Sequence, residues 1–392
     1  MSNQPWYPFG LSNQETLTIE KLVYGGEGLS RLDGKVVLTP FVLPGEVVRA
    51  EMDRAKNDLW RGRVIEILQA SPERIAPQCP YFQRCGGCQY QHMDYPFQLE
   101  QKREILREVL RRVGKIEFAG EIGMISGEPW QYRNRVQLHI ESGKIGYFAQ
   151  GSRELIAIDH CPIASVKLNE TIGKIKAQAS TALELFTNET EVQVNVVDRV
   201  PRAALTSLAS LGVTTPIQYG GFQVSRNSFF QVNRFLVDRL VECAVGDAKG
   251  GWAVDLYAGV GLFSVKLAER FEKVTAVESG SSGFRDLHHN FAGAAVNANV
   301  EEYLAGLNET PDFVLADPPR AGFGKPAVKE LARIRAPRLT IVSCDPATLA
   351  RDLRGLIAEG YRLEKITLVD LFPQTFHLET VVELFAGAIP PN

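Results

Sequence analysis

From Asn227 onward the chain repeats one rhythm: a short apolar run, a turn, a helical segment, then another apolar run. The runs are AVDLYAG, KVTAVE, DFVLADPP, LTIVSCDP, KITLVDLFP and TVVELFA. Strands joined through helices cannot pair as hairpins, so they lie side by side in a mostly parallel, doubly wound sheet. The fold class is therefore α/β. Ligands of such sheets gather at the carboxyl ends of the strands, where the polar residues singled out below are found.

The preceding half reads differently. Between Thr16 and Leu68, the runs LTIEKLVYG, KVVLTPFVL, EVVRAEM and WRGRVIEIL alternate with Gly, Pro and Asp turn signals, which predicts a small β-barrel; barrels of the oligonucleotide-binding (OB) type are reused for RNA, but the fold alone does not establish that use. SPERIAPQCPYFQRCGGCQYQHM has no sustained period and reads as a metal loop. Leu106, Val109, Leu110 and Val113 then fall at helical spacing. A middle region from Ile116 to Gly221 mixes strands (RNRVQLHIE, KIGYFA, EVQVNVV) with a helix expected over Ser165–Phe186.

The chain's 392 residues suit two or three domains, and no apolar stretch reaches the length of a membrane-spanning helix. The N-terminal MSNQPWYPFG lacks the basic and apolar regions of a signal peptide, so a cytoplasmic location is expected, with no membrane association and with reduced cysteines. Nothing calls for a partner chain, and a monomer is expected. A net charge of -3 supplies no global attraction to nucleic acid, so RNA binding would need a local basic patch. The run Gln101–Lys115, with Lys102, Arg103, Arg107, Arg111, Arg112 and Lys115, is the candidate.

AVDLYAGVGLFS places Asp255 in a strand and Gly259 and Gly261 in the turn that enters a helix. Nineteen residues past Gly259, Glu278 ends the next strand, where a carboxylate can accept both ribose hydroxyls of an adenosine. Leu262 and Phe263 stand where a dinucleotide site would continue its glycines, so S-adenosylmethionine fits better than a nicotinamide cofactor. In DFVLADPPR, two prolines hold Asp317 at the mouth of the sheet, and Arg320 replaces the aromatic that amino-group methyltransferases use for stacking. Cys344 follows a strand and precedes a helix, whose N–H groups favour a thiolate. His377 and Glu379 lie between the last two strands, and either can act as a base. Cys243, within FLVDRLVECAV, reads as an inert helix cysteine. Cys79, Cys85 and Cys88, with Cys161 downstream, supply four soft ligands suited to zinc or an iron–sulfur cluster; spacing does not choose between them.

Together these motifs resemble the RNA 5-methyluridine (uracil-C5) methyltransferase family, in particular its iron–sulfur 23S rRNA members. Residues 12–70 look like the family's N-terminal TRAM barrel, CPYFQRCGGCQYQ with Cys161 is similar to its [4Fe–4S] site, and residues 223–392 resemble its methyltransferase domain. The implied division is a TRAM-like, RNA-binding β-barrel over 1–72, an iron–sulfur segment over 73–92, a central α+β domain over 93–222, and a class I (Rossmann-like) methyltransferase domain over 223–392. By resemblance, S-adenosylmethionine is contacted by Gln231, Tyr257, Gly259, Gly261, Glu278, Asp317 and, in the NAN stretch, Asn299.

The resemblance assigns Cys344 as the nucleophile that adds to C6 of uracil and Glu379 as the base that removes the C5 proton. Asp345 stands where the family commonly has Asn, residues 291–301 are short for a third strand with its loop, and the chain is compact for an rRNA-modifying member. The expected substrate is 23S rRNA. Alternatives are a tRNA uracil-C5 or an RNA cytosine-C5 methyltransferase and, in a different class, an inactive RNA-binding iron–sulfur sensor.

Overall fold

The computed structural model describes residues 14–54, 59–176, 180–197 and 212–387; the first ten residues, read above for a signal peptide, lie outside them. Six strands come first: β1 (Gln14–Thr18), β2 (Lys21–Leu22), β3 (Glu27–Leu32), β4 (Lys35–Pro40), β5 (Val47–Arg54) and β6 (Trp60–Gln69). Their order is β1-β5-β6-β4-β3-β2, so both edges belong to segment 14–22 and the sheet curls round on itself. Leu17, Ile19, Val37, Val42, Val48 and Ala50 turn into its core.

Residues 70–94 form neither strand nor helix and are fastened from outside. Buried Glu46 of the barrel accepts from the amides of Leu43 (2.8 Å) and Ser71 (3.2 Å) and from Arg74 Nε (2.5 Å) and Nη2 (2.7 Å). Further on, the amide of Gly86 donates to Phe148 O, and those of Gln89 and Tyr90 both donate to Gln374 O, each at 3.0 Å.

Helix α1 (Tyr95–Val109) begins at Asp94, whose carboxylate accepts from Phe97 N at 2.8 Å. Leu106 and Leu110 are buried as expected, whereas Val113 is exposed and the inner face also carries Gln98, Lys102 and Ile105. Lys102 thus leaves the basic surface run predicted above. Its Nζ is fully buried and donates to Asp370 Oδ1 (2.6 Å) and Phe372 O (2.9 Å), while Tyr95 OH donates to Asp370 Oδ2 (2.9 Å). Arg103 pairs with Glu100 and Arg112 with Glu108, while Arg107 donates to Phe118 O.

After α1 comes β7 (Ile122–Ile125), then the central region: β8 (Arg135–Glu141), β9 (Lys144–Phe148), β10 (Leu155–Ala157), α2 (Val166–Ile172), β11 (Thr181–Thr187) and β12 (Val192–Val196). It forms an antiparallel sheet ordered β10-β9-β8-β11-β12, with Leu168 and Ile172 of α2 packed on it. The helix expected over 165–186 stops at Ile172, and Thr181–Thr187 is a strand, because it pairs with β8 on one side and β12 on the other; residues 177–179 lie outside the described ones. A hairpin of β13 (Ile217–Tyr219) and β14 (Phe222–Val224) follows.

The C-terminal part contains α3 (Val237–Val245), β15 (Gly250–Leu256), α4 (Leu262–Leu267), β16 (Phe271–Val277), α5 (Ser281–Asn290), β17 (Ala294–Val296) and α6 (Val300–Gly306). It continues with β18 (Phe313–Ala316), α7 (Gly324–Ile334), β19 (Arg338–Ser343), α8 (Pro346–Ala358), β20 (Tyr361–Val369) and β21 (Thr380–Ala386). The strand order is β17-β16-β15-β18-β19-β21-β20-β7, and β21 is the one strand that runs antiparallel to its neighbours. Alternate residues feed two cores: Val254, Leu256, Val314 and Ala316 on one face, Ala253, Phe313 and Leu315 on the other.

Residues 95–125, expected within a central domain over 93–222, pack here instead. β7 pairs in parallel with β20 from Ile122↔Ile366 to Ile125↔Val369, and Ile105, Leu106, Leu110 and Ile122 join the core beneath α8. Edge pairing between segments more than 200 residues apart leaves no local signal. Among the described residues, no helix is long and apolar enough to cross a membrane.

Lys102→Met leaves the Asp370 carboxylate buried without its cation. The expected loss is about 3–5 kcal/mol, read as a lower urea midpoint at unchanged slope. Adding Asp370→Leu should recover part of it.

Candidate active site

The register of the sheet sets out the site along its carboxyl edge. Leu256 pairs with Val277 on β16 and with Ala316 on β18, and Ala316 pairs with Ile341 on β19. Ser343 pairs with Thr380 on β21. The residues just beyond these pairs therefore stand in strand order: Glu278, Tyr257, Asp317, Cys344 and Glu379. Neighbouring strands are about 5 Å apart, and Cys344, three residues past Ile341, stands two residues further out than Asp317, one past Ala316.

At one end, the turn from β15 to α4 bends through left-handed backbone at Tyr257 (φ 60°), Gly259 (φ 57°) and Gly261 (φ 94°). A Cβ on Gly261 would come within 2.9 Å of Leu287 Cδ1, whereas one on Gly259 would project into open space. Gly259 thus leaves backbone bare to a ligand. Glu278 accepts from Gly259 N (2.9 Å) and Gly280 N (2.5 Å), which ties the strand-end carboxylate to the turn. Buried Asp255 accepts from Ser264 Oγ at 2.5 Å through Oδ2, while its Oδ1 has no partner among the described residues. Burial, offset in part by Ser264 and reinforced by the charge of Glu278, pushes its carboxyl up to about 7.

The side chain of Asn299 forms no hydrogen bond with this group. It is exposed at the N-cap of α6 and makes no capping bond, whereas Asn297 donates to the carbonyl of Glu278 at 2.9 Å. Two asparagines two residues apart differ only in which one the short β17 delivers to the edge, and the sequence alone could not separate them. Gln231 is buried, with Nε2 3.5 Å from Asp317 Oδ2.

At the other end, Cys344 lies between β19 and α8, partly exposed, and Asp345 caps that helix by accepting from Ala347 N (3.0 Å) and Thr348 N (2.8 Å). Burial pushes the Cys344 thiol up to about 11; Glu379 and Asp317 push the same way, and Arg320 opposes them. Glu379, itself buried, is held well above the usual carboxylate range by burial and by Asp317, with Arg320 again opposing. Asp317 is raised to about 7 by burial and by the charge of Asp255. Burial takes His377 down to about 4, helped by Arg320, Arg133 and Lys102. Arg320, noted on sequence only because it is not aromatic, is thus the cation that acts on the thiol, the glutamate and the histidine together.

Cys79, Cys85, Cys88 and Cys161, more than 70 residues apart at the extremes, line one cavity of about 270 Å³ together with Tyr147 and His377. Gly87 N approaches Cys85 Sγ at 3.4 Å, and burial raises the thiols of Cys79, Cys85 and Cys88, with their mutual charges adding. Among the described residues, no group of three or more His, Cys, Asp or Glu side chains is arranged to hold a single metal ion. Cys243 is only partly buried, its thiol raised by burial, and it packs against the core of the sheet.

A solved tRNA (uracil-54, C5)-methyltransferase of Pyrococcus abyssi, in complex with S-adenosyl-L-homocysteine, superposes with a TM-score of 0.74 at 26% identity, covering 94% of this chain and 99% of that one. The fold is accordingly a Rossmann-like, S-adenosylmethionine-binding methyltransferase domain preceded by a TRAM-like barrel and a central β domain. Residues 306–386 match the family model described as tRNA (Uracil-5-)-methyltransferase. An uncharacterised RNA methyltransferase of Aquifex aeolicus is 31% identical over 94% of this chain and 97% of its own length. The 23S rRNA (uracil(1939)-C(5))-methyltransferase RlmD of Pseudomonas putida is 31% identical over 98% and 96%. The chain belongs to the RNA uracil-C5 methyltransferase family, enzymes that transfer a methyl group from S-adenosylmethionine to carbon 5 of uridine.

With a thiol near 11, RNA-free protein holds Cys344 mostly protonated at neutral pH. Iodoacetamide labelling of the Cys344 peptide, followed by mass spectrometry, should rise about tenfold per pH unit through the neutral range. Arg320→Ala removes the opposing cation, so the midpoint should move up and labelling at pH 8 should slow. A midpoint that moves down would contradict this electrostatic account.

Proposed function

We propose that this protein methylates carbon 5 of a specific uridine in 23S rRNA, with Cys344 as the nucleophile and Glu379 as the base. The observation that carries the reading is the Ser343↔Thr380 register, which sets thiol and carboxylate side by side on the edge that also bears Glu278 and the glycine turn. Similarity to RlmD proteins over nearly the full length of both chains supports rRNA as the substrate.

Gly259, Gly261, Tyr257, Glu278, Gln231 and Asp317 would hold S-adenosylmethionine, with Glu278 on the ribose; the bare backbone at Gly259 and the partnerless Oδ1 of Asp255 fit a polar ligand there. When bound, the cofactor supplies the electrophilic methyl group that carbon 5 captures. Cys344 adds as a thiolate to C6 of the extruded uracil, and the C5=C6 electrons pass to the O4 enolate, which makes C5 nucleophilic. After methylation, Glu379 takes the C5 proton, the C5=C6 bond re-forms, and the thiolate leaves. A carboxylate held high in its range is better matched to accepting that proton than an exposed one. Arg320 offsets the negative charge that builds at Cys344.

The four cysteines would hold a [4Fe–4S] cluster, with zinc the lesser alternative. In such a cluster each thiolate binds a different iron, and the four cysteines line one cavity here. Methyl transfer needs no electron, so the group's role is to hold the chain. Anaerobically purified protein should be brown and carry iron and sulfide in equal amounts. One equivalent of zinc on a colourless protein would overturn the cluster assignment.

The catalytic reading is tested by denaturing gel electrophoresis after incubation with S-adenosylmethionine and a 5-fluorouridine-substituted 23S rRNA transcript, since fluorine blocks removal at C5. Wild type should form a protein–RNA band and Cys344→Ala none. Glu379→Gln should still form the band on fluorinated RNA, yet fail to release unsubstituted RNA. A band only with a tRNA or with fluorocytidine RNA would replace the substrate, and no band with any of them would favour an inactive RNA-binding protein.

A further inference from the structure

The turn between β2 and β3 carries the barrel into the catalytic edge. Tyr24, partly buried, places its OH 3.5 Å from Asp345 Oδ2, one residue past Cys344. Its ring meets that of Phe376 at 5.5 Å between centroids and an interplanar angle of 83°, and Phe376 in turn lies 4.3 Å from the ring of His377. Tyr24 OH thus reaches the residue next to Cys344, and Phe376 links its ring to His377 on the loop that leads to Glu379.

Tyr24 is held there by the turn that follows it. Gly25 and Gly26 take left-handed backbone (φ 113° and 88°), and a Cβ on Gly26 would lie 2.9 Å from Gln89 Cβ and 3.4 Å from Phe376 Cβ. The barrel turn therefore sits flush against both the cysteine segment and the loop leading to Glu379. A bulkier residue at Gly26 would lift Tyr24 away.

We propose that Tyr24 is a base-positioning residue whose ring, set at right angles to Phe376, forms the wall against which the target uracil packs beside Cys344. A base taken out of its helix loses its stacking partners, and an enzyme that acts on it must replace them with aromatic or apolar surface. Two perpendicular rings provide a corner that fixes both the plane and the edge of a flat ligand. At 3.5 Å the hydroxyl contact with Asp345 is weak, so the ring is the working part and the hydroxyl only aims it. The barrel thereby does more than grip RNA, because it completes the nucleobase pocket of another domain.

The proposal rests on Cys344 as the nucleophile, and one experiment separates the two. The rate of covalent complex formation with 5-fluorouridine RNA and S-adenosylmethionine is measured against RNA concentration for wild type, Tyr24→Phe, Tyr24→Leu and Tyr24→Ala, with cofactor affinity and melting temperature followed in parallel. Tyr24→Phe should stay within about threefold of the wild-type rate at saturating RNA, while Tyr24→Leu and Tyr24→Ala fall about tenfold or more with cofactor affinity unchanged. If the alanine variant does not fold, the leucine variant, which keeps the bulk but not the aromatic face, decides. A leucine variant that reaches the wild-type rate at saturating RNA and differs only in the concentration required would overturn the proposal, reducing Tyr24 to part of the RNA-binding surface. No complex in the wild type would overturn the Cys344 reading itself, and this proposal with it.

Discussion

The arrangement of the site depends on the direction of its last strand. In a parallel sheet, every strand presents its final residues at the carboxyl edge, and β16, β15, β18 and β19 do so with Glu278, Tyr257, Asp317 and Cys344. β21 enters between β19 and β20 antiparallel to both, so its first residues stand at that edge. Glu379 precedes β21 directly. Had the strand run the other way, the glutamate would lie at the opposite rim, separated from the thiol by the length of the sheet.

An antiparallel insertion requires the chain to turn back above the carboxyl edge, and that return, residues 370–378, is anchored by segments remote in sequence. Lys102 and Tyr95 of α1 hold Asp370, and Asn233 donates to Leu371 O at 3.1 Å. Tyr132 OH donates to Pro373 O at 3.0 Å. Gln98 Nε2 donates to Gln374 Oε1 and Gln98 Oε1 accepts from Gln374 N, both at 3.0 Å, and the amides of Gln89 and Tyr90 converge on Gln374 O. The cysteine segment is thus joined to the loop that ends in Glu379 by main-chain hydrogen bonds. A group bound by those cysteines would stiffen the approach to Glu379 without taking part in the chemistry.

Electrostatically, the edge is crowded with acid. Burial raises Asp255, Asp317 and Glu379; the charge of Asp255 adds to the rise of Asp317 and that of Asp317 to the rise of Glu379, and the thiol rises with them. Arg320 is the cation that acts on both the thiol and Glu379. Before RNA arrives, the balance keeps the Cys344 thiol protonated, so no strongly nucleophilic thiolate stands in a partly exposed pocket.

The sequence by itself determined the α/β rhythm, the glycine turn with Glu278, and the strand-end places of Asp317 and Cys344, because each is a local property: a period, a left-handed turn, a residue at the end of an apolar run. The barrel was legible for the same reason. The tertiary structure alone decided what depends on pairing between distant segments. β7 joined the edge of the large sheet, Thr181–Thr187 became a strand between two partners, and Asn297 rather than Asn299 bonded to the carbonyl of Glu278. Lys102 turned from surface cation to buried counter-ion because Asp370, 268 residues away, needed one. Tyr24 sits in a Gly-rich turn with no motif of its own, and only the docking of the barrel brings it to Phe376 and Asp345. Local sequence specifies backbone shape and burial pattern, whereas the company a side chain keeps is set by which surfaces meet when the domains close.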